Sequence, residues 1–516
     1  MRPLYTAFHK HSGWSAFFLL SELCYNITNI QKKEETLCPS CQLAGGERLN
    51  TKMSEQYTTE AEAETTKNGM DRGLTNRHVQ IIAIAGTIGT GLFLGAGKSI
   101  HLTGPSIVLV YIITGIFMYL MMRGIGEMLY MDPDQHTFIN FITKYLGQGW
   151  GYFAGWSYWI SLVLLGMAEL TAIAKYVQYF IPGAPSWLIQ LVFLVLLCGV
   201  NIVAVAVFGE VEFWFGMIKI IAILALIATA IFMVLTGFKT PVGPASLGNI
   251  FHGFKFFPMG VDHFFMAFQM VFFAYQAIEF VGITTSETKN PRQVLPKAIH
   301  AIPSRIMFFY VGALIAIMSI FPWHQLPADQ SPFVMVFKLA GVNWAAALIN
   351  FVVLTAAASS LNSMLYSSGR HLYQLASETP ALDRFKLNRL SRTNVPQNAI
   401  FTSAGFMVLA AILSVVPWIS DSFTVITSSS SGVYIAIYAL TMLAHMRYRK
   451  SKDFMADGFL MPAYKVLNPL TIAFFGFIYL SLFLQESTFI GAVGATIWIL
   501  VMGTICQIAT KRQAIR

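Results

Sequence analysis

The chain has 516 residues, of which 55% are hydrophobic and only 11% are charged, against roughly 25% charged residues in an ordinary soluble domain. Its mean hydropathy is +0.60, and its repeated apolar runs of about 20 residues can each cross a ~30 Å hydrocarbon layer. A nucleic-acid binder, a secreted disulfide scaffold and a disordered regulator are thereby excluded. The net charge of +9 fits instead the basic cytoplasmic loops of a polytopic membrane protein.

Residues 1–69 are mixed in character, turn polar toward Thr58–Thr66, and hold no run of span length. They read as a disordered leader without a fold of its own, and translation is expected to begin natively at Met53 or Met70. The five cysteines form no framework. Cys198 and Cys506 lie inside apolar runs, and Cys38-Pro-Ser-Cys41 is a lone pair with no second pair or spaced histidines, so no metal and no cofactor are expected.

From His78 onward the chain reads as about twelve transmembrane helices, an all-α polytopic fold occupying residues 70–512. The expected spans are 79–100, 105–130, 150–181, 186–207, 212–237, 263–284, 299–321, 343–376, 400–419, 421–446, 467–485 and 488–510. Basic residues settle the expected orientation. Arg72 and Arg77, Arg292 and Lys297, the group from Arg384 to Arg392, the group from Arg447 to Lys452, and Lys511 with Arg512 all fall on one side. The positive-inside rule then puts both termini in the cytoplasm. Residues 131–148 are too polar to span and read as a cytoplasmic amphipathic connector.

The first span carries Gly86-Thr-Ile-Gly-Thr-Gly91-Leu-Phe-Leu-Gly95. So much glycine in a membrane helix has two readings: close helix packing through the Gly91/Gly95 pair, or an unwound point whose N–H groups, at the positive end of a half-helix, bind a carboxylate. A nucleotide loop is excluded by the order of the glycines and the lack of a following Gly-Lys-Ser/Thr. The third span contains Glu169 and the fifth contains Lys219, while Glu127 lies near the inner end of the second beside Arg123. A charged group at mid-bilayer costs about 2.5–3.5 kcal/mol on insertion scales, so such groups face a cavity, pair, or carry protons. Lys219 is too deep to reach the interface and could gain and lose a proton during a cycle, or form a structural pair. Glu127 reads as a structural partner.

The sixth span reads Phe272-Phe-Ala-Tyr-Gln-Ala-Ile-Glu279, with Gln276 and Glu279 one turn apart in apolar surroundings. Interruptions in the first and sixth spans are the pattern of transporters with two broken helices in an inverted repeat. In the eighth span Ala356-Ala-Ala-Ser-Ser-Leu-Asn-Ser363 gives a small-residue face. That face serves close packing, or else sets the hydroxyls of Ser359 and Ser360 toward a cation.

Together these residues resemble the amino acid permeases of the amino acid–polyamine–organocation superfamily. The resemblance starts at Leu74-Thr-Asn-Arg-His and the glycine run. It continues through Gly124-Ile-Gly-Glu-Met, Ala168-Glu-Leu-Thr-Ala172, Glu210-Val-Glu-Phe-Trp-Phe-Gly-Met-Ile-Lys219 and Ser286-Glu-Thr-Lys-Asn-Pro291, covering about residues 71–512. It implies a leucine-transporter-like core with inverted repeats at about 79–237 and 263–446, two extra helices at about 467–510, and alternating access around a central site. By the same resemblance Thr87, Ile88, Gly89, Thr90 and Gly91 hold the substrate carboxylate, and Phe273, Ala274 and Gln276 surround its amino group and side chain. Lys219 and Glu169 would couple transport to protons, with Ser359 or Ser360 beside the ammonium. One departure is Ala277, where the family usually has glycine; it implies a tighter sixth-helix break and a small substrate. The wording Gly369-Arg-His-Leu-Tyr-Gln-Leu-Ala376 is similar to permeases for serine, alanine and glycine.

The function expected from this is proton-coupled import of a small neutral amino acid across a bacterial plasma membrane, with the amino acid, the proton and the lipid bilayer as partners and no nucleic acid. The alternatives are an amino acid exchanger, a permease for larger neutral or aromatic amino acids, and, from another class, an amino acid receptor. No enzyme motif is visible.

Overall fold

The structure is a computed structural model that describes residues 87–515, apart from 134, 136, 204, 252–254, 281–290, 328–329, 342, 392–393 and 417–420. The expected leader 1–69, the start of the first span and residues 286–290 of the Ser286–Pro291 motif lie outside the described residues. What is described is almost wholly helical. The helices are α1 (Thr90–Phe93), α2 (Gly95–Thr103), α3 (Ile107–Met131), α4 (Ile139–Leu146), α5 (Gln148–Gln178), α6 (Ser186–Val203), α7 (Val205–Leu235), α8 (Gly248–Phe251) and α9 (Val261–Ala274). They continue as α10 (Pro291–Ile320), α11 (Pro332–Leu339), α12 (Asn343–Ser377), α13 (Gln397–Met407), α14 (Leu409–Leu413), α15 (Ser422–Tyr448), α16 (Tyr464–Ser481) and α17 (Glu486–Ile515). A two-stranded hairpin that hydropathy did not anticipate, β1 (Lys239–Thr240) and β2 (Gly243–Pro244), follows α7.

Among the described residues, each of the twelve expected spans contains helix. Seven helical stretches among the described residues are long and apolar enough to cross a membrane, and 186–202, 261–274 and 397–413 are shorter apolar helices. The chain is an all-α polytopic membrane protein. The first two spans join through a turn at Gly104, in the gap between them, whose φ of +58° only glycine adopts freely. Two differences from the expected spans have local causes. The seventh begins at Pro291, eight residues earlier than hydropathy suggests, because its first turns are polar. The ninth is divided between α13 and α14 at Val408. The expected connector contains α4, which buries Ile139, Phe141 and Ile142 and turns Lys144 outward to Asp453 at 2.8 Å.

Burial sorts the helices. In α5 and α15, 78% of the apolar stretch is inside the protein, against 22% in α17, so α5 and α15 are central and α17 is peripheral. Val195, Leu196, Leu235 and Leu500 on α6, α7 and α17 are more than half exposed, which in a membrane chain is the lipid-facing surface. α5 packs on α12 and α15, α10 on α3, and α9 on α2. Between them lie fully buried tyrosines, Tyr111, Tyr275, Tyr310, Tyr434 and Tyr438, whose hydroxyls need partners in a place without water.

Candidate functional site

The helix of the first span is interrupted at Ile88 and Gly89. Gly89 is extended (φ −127°, ψ −156°), helix restarts at Thr90, and its carbonyl accepts the N–H groups of Leu92 (3.2 Å) and Phe93 (3.4 Å). Unwound backbone in a membrane survives only where protein satisfies it, and here residues 87–91 are all buried. The Thr90 N–H points at Glu169 Oε1 on α5, 3.4 Å away. A carboxylate at the start of a helical turn is electrostatically favourable. Glu169 therefore already places a carboxyl group at the break, and its Oε2 has no hydrogen-bond partner among the described residues.

The second interruption lies at the end of α9. Tyr275 and Gln276 donate their N–H groups to Phe272 and Phe273 at 3.0 and 3.1 Å in a tightened turn, and Ala277 takes φ +66°. The expected break at Ala277 thus exists, but as a left-handed alanine, a conformation that costs an L-residue roughly 1–2 kcal/mol.

The two breaks touch. A Cβ on Gly91 would stand 2.5 Å from Ala274 Cα and 3.1 Å from its nitrogen, so the backbones pass with no room for a side chain. The Tyr310 hydroxyl, from α10, lies 3.1 Å from the Thr87 carbonyl and 2.8 Å from the Ala274 carbonyl, offering its proton to one chain end of each break. Gln276, in contrast, is turned to α15: its Nε2 donates to Ser431 Oγ (3.1 Å), and Ser430 donates to its Oε1 (2.9 Å). Glu279 accepts from Tyr438 (2.5 Å) and Tyr434 (3.3 Å). Phe273 meets Phe423 with ring centroids 6.0 Å apart, and Phe423 lies under the ammonium of Lys98, which is paired with Asp421 and donates to Thr424 at 2.7 Å.

Lys219 on α7 is fully buried and donates to Ser360 Oγ at 3.0 Å. A Cβ at Gly89 would be 3.3 Å from that same oxygen and 2.6 Å from Glu169 Oε1, so the lysine's partner and Glu169 meet at the first break. Ser359 turns elsewhere and donates to Glu212 Oε1 at 2.9 Å. The two serines thus divide between a lysine and a glutamate rather than both facing a cation. Glu127 lies near the C-terminal end of α3 against Arg449, not Arg123: Arg449 Nε and a terminal nitrogen reach its oxygens at 2.5 and 2.6 Å, with His445 at 3.1 Å. Arg123 goes instead to His300 and the Phe459 ring.

Tyr310, Glu212, Ser430, Ser431, Tyr434 and Tyr438 were not singled out from sequence. Tyr310 meets its partners across gaps of 223 and 36 residues, which no local pattern encodes. Glu212 lay inside a motif, at the edge of an apolar run where a charge invites an interfacial reading. A separate cavity of about 210 Å³, lined by Thr137, Asn140, Tyr152, His371 and Glu378, belongs to α4, α5 and α12 and not to the breaks. Among the described residues no three His, Cys, Asp or Glu side chains come together as a metal site would need.

Comparison with known proteins identifies the chain. The Amino acid permease family matches residues 78–513. The DL-alanine permease SerP2 of Lactococcus lactis subsp. cremoris is 50% identical over 446 residues, 86% of this chain and 97% of the relative. The serine permease SerP1 of the same organism is 50% identical over 440 residues, 84% and 96% of the two chains. The D-serine/D-alanine/glycine transporter of Escherichia coli K12 is 41% identical over 452 residues, 87% and 96%. The chain belongs to the amino acid permease family; it is a multi-pass membrane transporter of amino acids and not an enzyme.

Proposed function

We propose that this permease imports a small neutral amino acid together with a proton across the bacterial plasma membrane, by alternating access and with both termini in the cytoplasm. Repeats at about 79–237 and 263–446 would form the moving core around the paired breaks. The observation that carries the reading is the backbone contact of the two breaks at Gly91 and Ala274, with a buried lysine and glutamate against the first of them. Main-chain groups of residues 87–91 would take the substrate carboxylate. Phe273, Ala274 and Gln276 would face its amino group and side chain. The space is narrow: Ala277 carries a methyl group at the turn, and Gly91 has Ala274 directly against it. The relatives whose names specify alanine, serine and glycine support a small side chain.

Coupling follows if substrate occupancy and protonation near Lys219 and Glu169 bias the same inward/outward equilibrium. Lys219 lies against the unwound first segment through Ser360, so a change in its charge alters the support of the substrate's main-chain partners. Lys219→Ala tests this. The variant is expected to bind substrate and to exchange it across the membrane, yet to lose accumulation driven by a pH gradient. Undiminished gradient-driven uptake by that variant would return Lys219 to a structural role.

A further inference from the structure

Lys219 has two acidic neighbours, and only one of them touches the break. Glu212 precedes Lys219 by seven residues on α7, two helical turns, so both side chains leave the same face. Both are fully buried. Glu212 Oε1 accepts the Ser359 hydroxyl at 2.9 Å and Lys219 donates to the adjacent Ser360 at 3.0 Å, so one dipeptide of α12 holds both groups. Glu212 Oε2 has no hydrogen-bond partner among the described residues. From α5, Glu169 Oε1 closes on Gly89 beside the same Ser360: a Cβ there would lie 2.6 Å from the carboxyl oxygen and 3.3 Å from Ser360 Oγ. The other titratable neighbours are the hydroxyls of Tyr176 on α5 and Tyr310 on α10, both beside Glu169, while α12 presents Ser359 and Ser363 to Glu212.

Among the described residues the ionisable set is therefore one ammonium and two carboxylates, spread over α5 and α7, clamped by α12 and buried. With one added proton the set is electroneutral; without it the set carries one net negative charge. A buried uncompensated charge is costly, and a neutral zwitterionic substrate does not change the count. We infer that Glu212 is the second carboxylate of the coupling site, and that the transported proton is held by Glu169, Glu212 and Lys219 as one unit. The inference rests on the proton-symport reading and adds to it a residue and a charge rule. Among the described residues the hydrogen bond of Glu212 goes to Ser359 and not to either break, so it is a positioning and charge-balancing residue.

The test is Glu212→Gln in proteoliposomes, beside the wild-type protein. Glutamine keeps an acceptor for Ser359 and removes the charge, leaving one ammonium and one carboxylate, a set that is neutral with no added proton. With one proton per substrate, a one-unit pH gradient supports about tenfold accumulation. The variant is expected to retain counterflow of labelled serine or alanine while its accumulation falls to an inside/outside ratio of about one. Full gradient-driven accumulation by Glu212→Gln would overturn the inference and leave Glu212 as a hydrogen-bond partner. Should Glu212→Gln fail to fold, as judged by size-exclusion and melting, Glu212→Asp decides. It keeps the charge but withdraws it from Lys219, and is expected to stay gradient-dependent with a shifted midpoint in the pH profile of uptake. An unshifted midpoint would overturn the inference. Wild-type protein indifferent to the gradient would overturn the symport reading and this inference with it, whereas a gradient-dependent Glu212→Gln beside a gradient-dependent wild type overturns the inference alone.

Discussion

Gly91→Ala should damage substrate binding far more than Gly95→Ala, although both glycines belong to the same four-residue spacing. The added carbon at Gly91 would stand 2.5 Å from Ala274 Cα and 2.9 Å from Ala274 Cβ. Carbon atoms in contact prefer about 3.5–4.0 Å, so the two breaks must part by about 1 Å, and the obstacle is main chain that no rotamer can move. Overpacking of this kind costs about 1–3 kcal/mol. Separation also takes Tyr310 out of reach of one of its two carbonyls, now at 3.1 and 2.8 Å, adding about 0.5–1.5 kcal/mol. If most of that is felt where the substrate sits, Kd rises by about 10- to 100-fold, since about 1.4 kcal/mol is a factor of ten. At Gly95 the new carbon meets Met270 Sδ at 2.8 Å, the far part of a flexible side chain, which gives way. Equilibrium binding of labelled serine and alanine to purified protein, with a melting curve for each variant, measures both effects. Wild-type affinity in Gly91→Ala, or equal loss in the two variants, would refute the assignment of the break contact to the binding site and leave the glycines as helix-packing residues.

Three further outcomes are expected. Lys219→Ala should keep exchange and lose gradient-driven accumulation, read by counterflow and uptake in the same vesicles. Ala277→Gly should relieve the left-handed alanine at φ +66°; the relief of about 1–2 kcal/mol is partly offset by glycine's entropy of about 0.5–1 kcal/mol, so the melting temperature should rise slightly, and a fall would contradict the strain at the turn. Asp421→Asn keeps a capping side chain for Thr424 at the start of α15 and removes the ion pair with Lys98. Burial pushes Asp421 up, but the Lys98 ammonium and the Thr424 contacts outweigh it and hold the carboxyl below the usual aspartate range. A lowered folded value stabilises above the unfolded aspartate range, near pH 4, and that stability is lost as pH falls through the folded value. The variant should therefore melt below wild type at neutral pH, by at most about 1 kcal/mol for a pair so partly exposed, and the difference should begin to shrink as pH falls below about 4 and vanish once it passes below the folded value.

The helices were legible because hydropathy and membrane thickness leave little choice of element, and the glycine run and the polar pair at Gln276 and Glu279 marked the two places where helix fails. Contacts across the chain were not legible. Nothing local in Tyr310 shows that its hydroxyl serves two carbonyls of different segments, and Ser430 and Ser431 sit in a run of four serines in which no member stands out. Glu127 was read as a structural partner, but its neighbour in sequence, Arg123, faces His300, and the guanidinium that holds it comes from Arg449, just past the end of α15. Paired charges in a membrane choose partners by depth and helix face, and sequence distance carries little of that. Ser359 and Ser360 show the same limit: adjacent positions on a helix point about 100° apart, so one finds Glu212 and the other Lys219.

The most direct test of proton-coupled uptake is transport of labelled serine, alanine, glycine, leucine and phenylalanine into proteoliposomes, with and without an inward proton gradient. Accumulation of serine, alanine and glycine only while the gradient is present, with leucine and phenylalanine excluded, is the predicted result. Flux that ignores the gradient and requires amino acid inside the vesicle would contradict it and make the protein an exchanger.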